Sequence, residues 1–227
     1  MLILAIFGLL NNSPKNPVIV QGGSLHTWSH SHMKDAEVTL NTEGRLLDSV
    51  VELWEGPKHA PITLRVYSDD GHKRPFRGVF HGMKIPNTIA VRNIGPVEFP
   101  IYTHATTQNI AYPSQRCLSS FQFIQGESIK TYSFDPCVKN VEMVIKTNGR
   151  PFSCRIEVLQ EYCDNKQVVE LYSEDGYFRP FFCILETPGF GNVVRISNTA
   201  SIEFPFLASI VPHKYIHKLS DWRTDWN

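Results

Sequence analysis

Three histidines near the start of the chain have a spacing that a metal site could use. His26, His30 and His32 form the pattern H-x-x-x-H-x-H. Alternate residues of an extended strand point to one side, so the three imidazoles would share a face. A related stretch later in the chain has Lys130 and Phe134 where His26 and His30 would align. We therefore favour an exposed polar strand face, and predict neither a metal ion nor a cofactor.

Two acidic pairs, Asp69-Asp70 and Glu174-Asp175, invite comparison with calcium sites. Each pair offers two or three oxygen ligands, fewer than the roughly six to eight that Ca²⁺ takes. A glycine follows each pair, Gly71 in one case and Gly176 in the other. Asp-Gly is a strong turn signal, because Asp accepts hydrogen bonds from nearby amides and Gly takes a positive φ easily. We predict two turns and no calcium.

Charged residues also recur in matched positions, as Arg74 with Arg179 and Glu98 with Glu203. They could bind a ligand or form ion pairs. We favour ion pairs that tie strand ends together within each copy.

The chain contains none of the catalytic motifs for which we searched. It has no P-loop, dinucleotide-binding glycine pattern, G-x-S-x-G or H-E-x-x-H. Its formal net charge is zero and no Lys/Arg cluster is visible, which argues against nucleic acid as a partner. The sequence has no run of about 20 apolar residues, which is the length that a helix needs to span a bilayer. We predict a protein that is not an enzyme.

The five cysteines all lie in the second half of the chain, without C-x-x-C spacing: Cys117, Cys137, Cys154, Cys163 and Cys183. An odd number of cysteines, all confined to one half of the chain, is a poor basis for a set of disulfide bonds. We expect small buried hydrophobic side chains in a reducing compartment, with a redox or metal role as the alternative.

An internal repeat organises the sequence. Five motifs recur 105 residues later, and an upstream motif, Ser24 to Ser29, recurs as Ser128 to Ser133 at 104 residues. The repeated structural residues are Gly44, Arg45, Asp70, Gly71, Arg74, Pro75 and Glu98, matched by Gly149, Arg150, Asp175, Gly176, Arg179, Pro180 and Glu203. The matched motifs align with only one single-residue insertion or deletion between them, and so long a match indicates a duplication.

Each copy has the pattern of short strands separated by turns. In the first copy we predict strands over 24–29, 37–42, 49–54, 62–67, 76–80, 88–93 and 99–103. Apolar and polar residues alternate in Val50 to Trp54 and in Thr63 to Tyr67. Gly44 and Gly149 suggest a second turn, and Pro75 and Pro180 suit strand starts or edges. We find no helical period and predict two tandem antiparallel β-sandwiches, Ig-like or jelly-roll.

The predicted boundaries are an N-terminal extension (1–20), a first β-domain (21–105), a connecting segment (106–125), a second β-domain (126–212) and an aromatic tail (213–227). The connecting segment is too apolar for a free linker, so it should pack across both domains or add an edge strand. Residues 1–10 are an incomplete targeting signal or an extra strand. Trp28 suits a core anchor, and the candidate assembly contacts are Trp28, Trp54, Tyr215, Trp222 and Trp226.

Several of these stretches together resemble a known family. They are Gly22 to Ser29, Thr42-Glu43-Gly44-Arg45, Val51 to Pro57, Arg74-Pro75-Phe76 and Val91 to Gly95. The combination is similar to the pyrenoid shell (PyShell) proteins of diatoms and related algae, over about residues 22–211. The resemblance implies a structural protein that assembles side by side into a sheet around the Rubisco matrix, at the pyrenoid periphery in the chloroplast stroma.

Two hypotheses follow. The first is a self-assembling homo-oligomeric shell protein that supports carbon fixation, with other copies of itself, and Rubisco-matrix components, as partners. Zero net charge and two similar domains favour contacts that propagate. The alternative is a tandem, lectin-like ligand-binding module with Trp28, Trp54 or the Arg/Glu pairs lining a groove.

Overall fold

The computed structural model describes residues 6–9, 17–30, 34–56, 59–82, 86–160 and 164–216. Their regular secondary structure is almost entirely β-strand, with one short helix. The first half contributes β1 (Ile6–Leu9), β2 (Val18–Val20), β3 (Leu25–His30), β4 (Asp35–Asn41), β5 (Leu47–Trp54), β6 (Ile62–Ser68), β7 (Phe76–His81), β8 (Asn87–Asn93) and β9 (Ile101–Thr106). The second half contributes α1 (Gln115–Ser119), β10 (Gln122–Ile124), β11 (Ile129–Ser133), β12 (Val138–Lys146), β13 (Phe152–Gln160), β14 (Asp164–Ser173), β15 (Phe181–Glu186), β16 (Val193–Asn198) and β17 (Phe206–Tyr215).

The strands form two sheets that pack face to face. The nine-stranded sheet has the order β1-β3-β8-β5-β6-β14-β13-β16-β11, and the eight-stranded sheet has the order β10-β17-β12-β15-β7-β4-β9-β2. Neighbours pair antiparallel except β1 and β3, which pair parallel. The predicted all-β sandwich is confirmed.

Each half of the chain has jelly-roll connectivity. In the first half, β3, β8, β5 and β6 lie in one sheet, while β2, β9, β4 and β7 lie in the other. This is the alternation of two interleaved Greek keys, which favours the jelly-roll over the Ig-like alternative. The second half has the same order with each strand number raised by eight, so the repeated unit has eight strands where the sequence predicted seven, and β1 is an additional strand of the first half. This order agrees with the duplication inferred from the sequence.

Both sheets run without interruption from one half to the other. In the nine-stranded sheet β6 pairs with β14 over seven residue pairs, and in the other sheet β7 pairs with β15. A single cluster of buried apolar side chains fills the space between the sheets, with members from both halves such as Leu64, Phe76, Phe152 and Phe206. The two halves are therefore joined by backbone hydrogen bonds and by a shared core.

The predicted turns are present, but the two Asp-Gly glycines serve a different purpose from the one predicted. Gly44 and Gly149 have φ of +71° and +97°, as a glycine turn requires. Gly71 and Gly176 are not among the positive-φ glycines, so that explanation was wrong. A Cβ on Gly71 would lie 2.7 Å from Thr42 Oγ1, and one on Gly176 would lie 2.6 Å from Thr147 Oγ1. The lack of a side chain permits close packing there.

The predicted strands match those observed to within a few residues, and Pro75 and Pro180 directly precede β7 and β15. The sequence shows no helical period, and one short helix of the described residues, α1, occupies the connecting segment. Its five residues are too few to show a helical period, and its start is fixed by Ser114, whose Oγ accepts from Cys117 N at 3.2 Å.

The domain boundaries remain predictions, and paired strands lie close to or across three of them. β2 pairs with β9 just before residue 21, β10 pairs with β17 inside the connecting segment, and β17 extends to Tyr215.

The turn before β3 offers a test of close backbone packing. A Cβ on Gly22 would overlap the backbone carbonyl of Pro96, whereas one on Gly23 would meet open space at a φ of +76°. We expect Gly22→Ala to lower the free energy of unfolding by about 3 kcal/mol. The adjacent control Gly23→Ala should cost about 1 kcal/mol, since it strains only the backbone. Urea unfolding of both variants measures this, and equal losses would contradict the packing argument.

Candidate functional site

A buried ion pair crosses the junction between the halves. Arg179 precedes β15 in the second half, and Glu55 follows β5 in the first. The Nη2 of Arg179 lies 2.7 Å from Oε2 of Glu55, and Nε lies 3.3 Å from Oε1. The carboxylate side chain is fully buried and the guanidinium nearly so. Bidentate geometry of this kind is what a buried pair needs in order to offset its desolvation.

Arg74 makes the corresponding contact from the first half. It lies 105 residues before Arg179, and its Nη2 donates to Oε1 of Gln160, which lies 105 residues after Glu55. Its Nη1 donates to Oδ1 of Asp69 at 3.3 Å. Burial lowers the pKa of Arg74, and the nearby carboxylate of Asp69 partly offsets this.

These contacts correct one sequence expectation. The matched arginines do tie strand ends, but across the halves, and they do not pair with the matched glutamates. Glu98 and Glu203 are exposed, and their backbone carbonyls accept from Arg45 Nη1 at 3.2 Å and Arg150 Nη1 at 3.0 Å.

The connecting segment is fastened to the outer face of the eight-stranded sheet by two buried carboxylates. Glu37 on β4 accepts the backbone N–H of Ala111 at 2.7 Å and is held by Arg77 at 2.8 Å. Glu142 on β12 accepts the backbone N–H of Ser114 at 3.0 Å and also its hydroxyl. Glu37 and Glu142 are themselves 105 residues apart.

Beneath this segment lies a small apolar cluster that spans both halves. Val79 comes from the first half, and Val144, Phe182 and Ile184 from the second, with Cys117 of α1 packed on them. Lys146 lies over the ring of Phe121 at 3.9 Å from its centroid. The segment thus packs across both halves and also adds the edge strand β10, so both predicted possibilities are realised.

The outer face of the nine-stranded sheet is polar. Across the junction, Arg65 on β6 lies opposite Glu170 on β14, which lies opposite Arg155 on β13. Arg65 binds the carboxylate of Asp48 through two bonds of 2.9 and 3.0 Å, and Arg155 binds Glu157 and Glu170. A shallow depression of about 310 Å³ lies among these side chains.

The histidine motif is only partly described. His26 is half-buried and packs edge-on against Trp28 at a centroid distance of 4.3 Å, and burial lowers its pKa. The side chain of His30 and all of His32 lie outside the described residues. Within the ranges given above, no three His, Cys, Asp or Glu side chains lie close enough to hold a metal ion.

The acidic pairs act as turn residues. Oδ1 of Asp70 accepts from His72 N at 3.0 Å and Lys73 N at 3.1 Å. Asp175 does the same for the two amides after Gly176, at 2.8 and 3.2 Å.

The aromatic candidates separate into different environments. Trp28 is 3% exposed and belongs to the core, so its ring offers no area to a neighbouring molecule in this fold. Trp54 is half-buried and donates from Nε1 to Glu52 at 3.0 Å, while Tyr215 is 40% exposed at the end of β17. Trp222 and Trp226 lie outside the described residues. The role of Trp54, Tyr215, Trp222 and Trp226 as assembly contacts remains a prediction.

The cysteines lie in environments that fit buried hydrophobic side chains. Cys117, Cys154 and Cys183 are buried, Cys137 is half-buried, and all four are unbridged; Cys163 is not described. Burial raises the thiol pKa of Cys154 and of Cys183 far above their usual range. Thiols held neutral in this way are poor nucleophiles.

A family model for the diatom pyrenoid shell proteins matches residues 11–212, which is most of the chain. The chain belongs to this family. The resemblance found in the sequence is thereby confirmed, and pyrenoid shell family membership supports a structural role in the pyrenoid. A search of curated proteins gave no match. Among the described residues, no helix has the length and apolar content that crossing a membrane requires.

Three solved structures show distant likenesses to this pyrenoid shell family member. The PBSX exported protein XepA is 7% identical with a TM-score of 0.28, covering 85% of this chain and 84% of its own. YhhW from Escherichia coli is 9% identical with a TM-score of 0.22, covering 79% and 78%. An oxalate decarboxylase is 10% identical with a TM-score of 0.22, covering 90% and 70%. Scores this low support no argument about function.

The carboxylates that bind the connecting segment and Arg179 were not predicted from the sequence. Glu37 and Glu142 obey the 105-residue offset, so extending the repeat comparison to isolated acidic residues would have found them. Glu55 and Gln160 share the offset but not the residue type, and only the structure shows that they have equivalent partners.

The junction ion pair yields a prediction with an internal control. Arg179→Met leaves the buried carboxylate of Glu55 without its guanidinium, so we expect a loss of about 3–5 kcal/mol in unfolding free energy. Glu55→Gln recreates the Gln160–Arg74 pairing of the other half, and should cost about 1–2 kcal/mol. Urea unfolding followed by tryptophan fluorescence measures both. A larger loss for Glu55→Gln than for Arg179→Met would refute this account.

The fastening of the connecting segment can be tested separately. Glu142→Ala removes the acceptor of Ser114 N–H, so we expect residues 111–121 to exchange amide hydrogen faster and stability to fall by about 2–3 kcal/mol. Hydrogen exchange with mass spectrometry reports the segment directly. Glu203→Ala, at an exposed carboxylate, is the control and should leave exchange unchanged. Unaltered protection in Glu142→Ala would show that the apolar cluster holds the segment alone.

Proposed function

We propose that this chain is a non-enzymatic structural protein that self-associates side by side into a protein sheet. The sheet would enclose the Rubisco matrix at the pyrenoid periphery in the chloroplast stroma, and so support carbon fixation. The observation that carries the proposal is the family match over residues 11–212. The partners are other copies of the chain, together with components of the Rubisco matrix.

The architecture supports this proposal because it gives a two-layered tile whose halves share both sheets. Nine strands spaced by about 4.8 Å make a sheet roughly 40 Å wide, and the second sheet lies about 10 Å away. Both sheets are continuous through the junction, and the Arg179–Glu55 pair and the shared core hold the halves in one orientation. A tile that cannot hinge at its centre transmits a defined angle from one neighbour to the next.

The two broad faces differ, as the two faces of a shell must. The eight-stranded sheet carries the connecting segment on its outer side, whereas the nine-stranded sheet presents paired charges such as Arg65 with Asp48. Zero net charge leaves no long-range repulsion between copies. Neighbours would then meet at the rim of the tile, where the edge strands β2, β10 and β11 and the turns are exposed.

The alternative, a lectin-like module, has the depression on the nine-stranded sheet in its favour. Its lining arginines, Arg65 and Arg155, are already bound by Asp48, Glu157 and Glu170, so a ligand would have to displace these carboxylates. We therefore rank ligand binding second. Saturable heat on titrating a glycan panel into monomeric protein would reverse that order.

Negative-stain electron microscopy over a protein concentration series tests the proposal. We expect sheets or tubes with a repeat of a few nanometres, because a tile about 40 Å wide sets that spacing. Dispersed single particles at every protein concentration, salt concentration and pH would contradict the shell proposal.

A further inference from the structure

Two aromatic side chains protrude from the turn between β14 and β15. Tyr177 is 65% exposed and Phe178 is 53% exposed. Their rings pack edge-to-face at a centroid distance of 4.9 Å, and Asp175 holds both backbone amides. We call this pair the aromatic knob. Exposed apolar side chains that are adjacent and fixed in place are characteristic of binding surfaces.

The equivalent turn of the first half has different side chains on the same backbone frame. His72 and Lys73 lie 105 residues before Tyr177 and Phe178, and Asp70 holds their amides in the same way. Beside this turn is a depression of about 280 Å³, whose lining includes Pro17, His72, Pro75 and Tyr102. We call this depression, together with the exposed Lys73 that follows His72 in the turn, the socket.

The knob and the socket lie at opposite ends of the tile. β6 and β14 are antiparallel, with Ser68 opposite Gln167 and Ile62 opposite Ser173. The chain leaves β6 at Ser68 toward the socket and leaves β14 at Ser173 toward the knob. A copy shifted in the plane of the sheets, without rotation, therefore brings its knob toward the socket of its neighbour.

We propose that the aromatic knob of one copy inserts into the socket of the next, joining tiles in head-to-tail rows. This contact rests on the proposed self-association and names the residues and the partner, which is a second copy of this chain. Aromatic rings pack well on proline and tyrosine, and the ammonium of Lys73 is attracted to a ring face. Both copies keep the same face upward, so the row stays planar.

The proposed contact buries little surface, so we expect it to be weak in isolation. Each aromatic side chain buries about 150–250 Å², well below the roughly 1,600 Å² of a standard interface. A single knob and socket would therefore hold two copies weakly. Repetition along a row and between rows raises the effective concentration, so assembly should begin sharply above a threshold concentration.

The test uses two blocked variants of the full chain. Tyr177→Ser/Phe178→Ser removes the knob, and His72→Asp/Lys73→Asp turns the rim of the socket acidic, which repels the negative ring face. Each variant alone should raise the threshold concentration for sheets at least about tenfold, as loss of a central contact does. Mixed one to one at a protein concentration well above the assembly threshold of the unaltered chain, they retain a single intact knob and socket, so sedimentation velocity with one variant labelled should show a weak, concentration-dependent heterodimer that does not grow.

The control is Tyr112→Ser, which removes a ring that is 66% exposed in the connecting segment, away from both turns. It should assemble like the unaltered chain, and all variants should unfold at the same temperature because the changed side chains are exposed. If the unaltered chain assembles and both blocked variants assemble equally well, this contact is wrong while the shell proposal stands. If both are blocked but their mixture gives no heterodimer, the head-to-tail pairing is wrong. If the unaltered chain never assembles, both proposals fall.

Discussion

Two guanidinium groups buried at the junction between the halves constrain everything around them. A buried charge costs several kcal/mol unless it is paired and hydrogen-bonded, so Arg179 can remain in place only while Glu55 of the other half lies against it. That requirement fixes how β15 lies relative to β5, and the ladders β6·β14 and β7·β15 form in the register that satisfies it. The orientation of one half relative to the other is therefore set at this junction.

The two halves have the same strand order but carry different side chains at equivalent positions. Glu55 is matched by Gln160, Arg65 by Glu170, and the His72 turn by the Tyr177 turn. The backbone frame is nearly the same in each case, since the matched turns use the same Asp cap and the matched strands the same register partners. The two halves thus share a core and a strand order, while their matched turns and strands present different side chains.

The sequence predicted most strands because half-buried strands alternate visibly and their turns carry Gly, Pro and Asp. It predicted the repeat because one offset aligns separate motifs. It could not predict that the halves share both sheets, because pairing of β6 with β14 depends on backbone edges that have no side-chain pattern. The roles of Glu37 and Glu142 were equally hidden, since a carboxylate that binds backbone amides of a distant segment resembles any surface acid.

Unequal ends on a nearly symmetric tile favour open growth over closure. If the two ends were identical, a two-fold contact could satisfy both partners and stop at a dimer. One end carries the aromatic pair, and the other carries a depression lined by proline, tyrosine and polar side chains beside His72, so the two ends differ and the proposed contact joins unlike surfaces. In the proposed row, each addition would leave one knob and one socket unfilled at the ends. Because the proposed shift keeps the polar face of the nine-stranded sheet on one side and the connecting segment on the other, growth by this contact would extend a layer with two distinct sides.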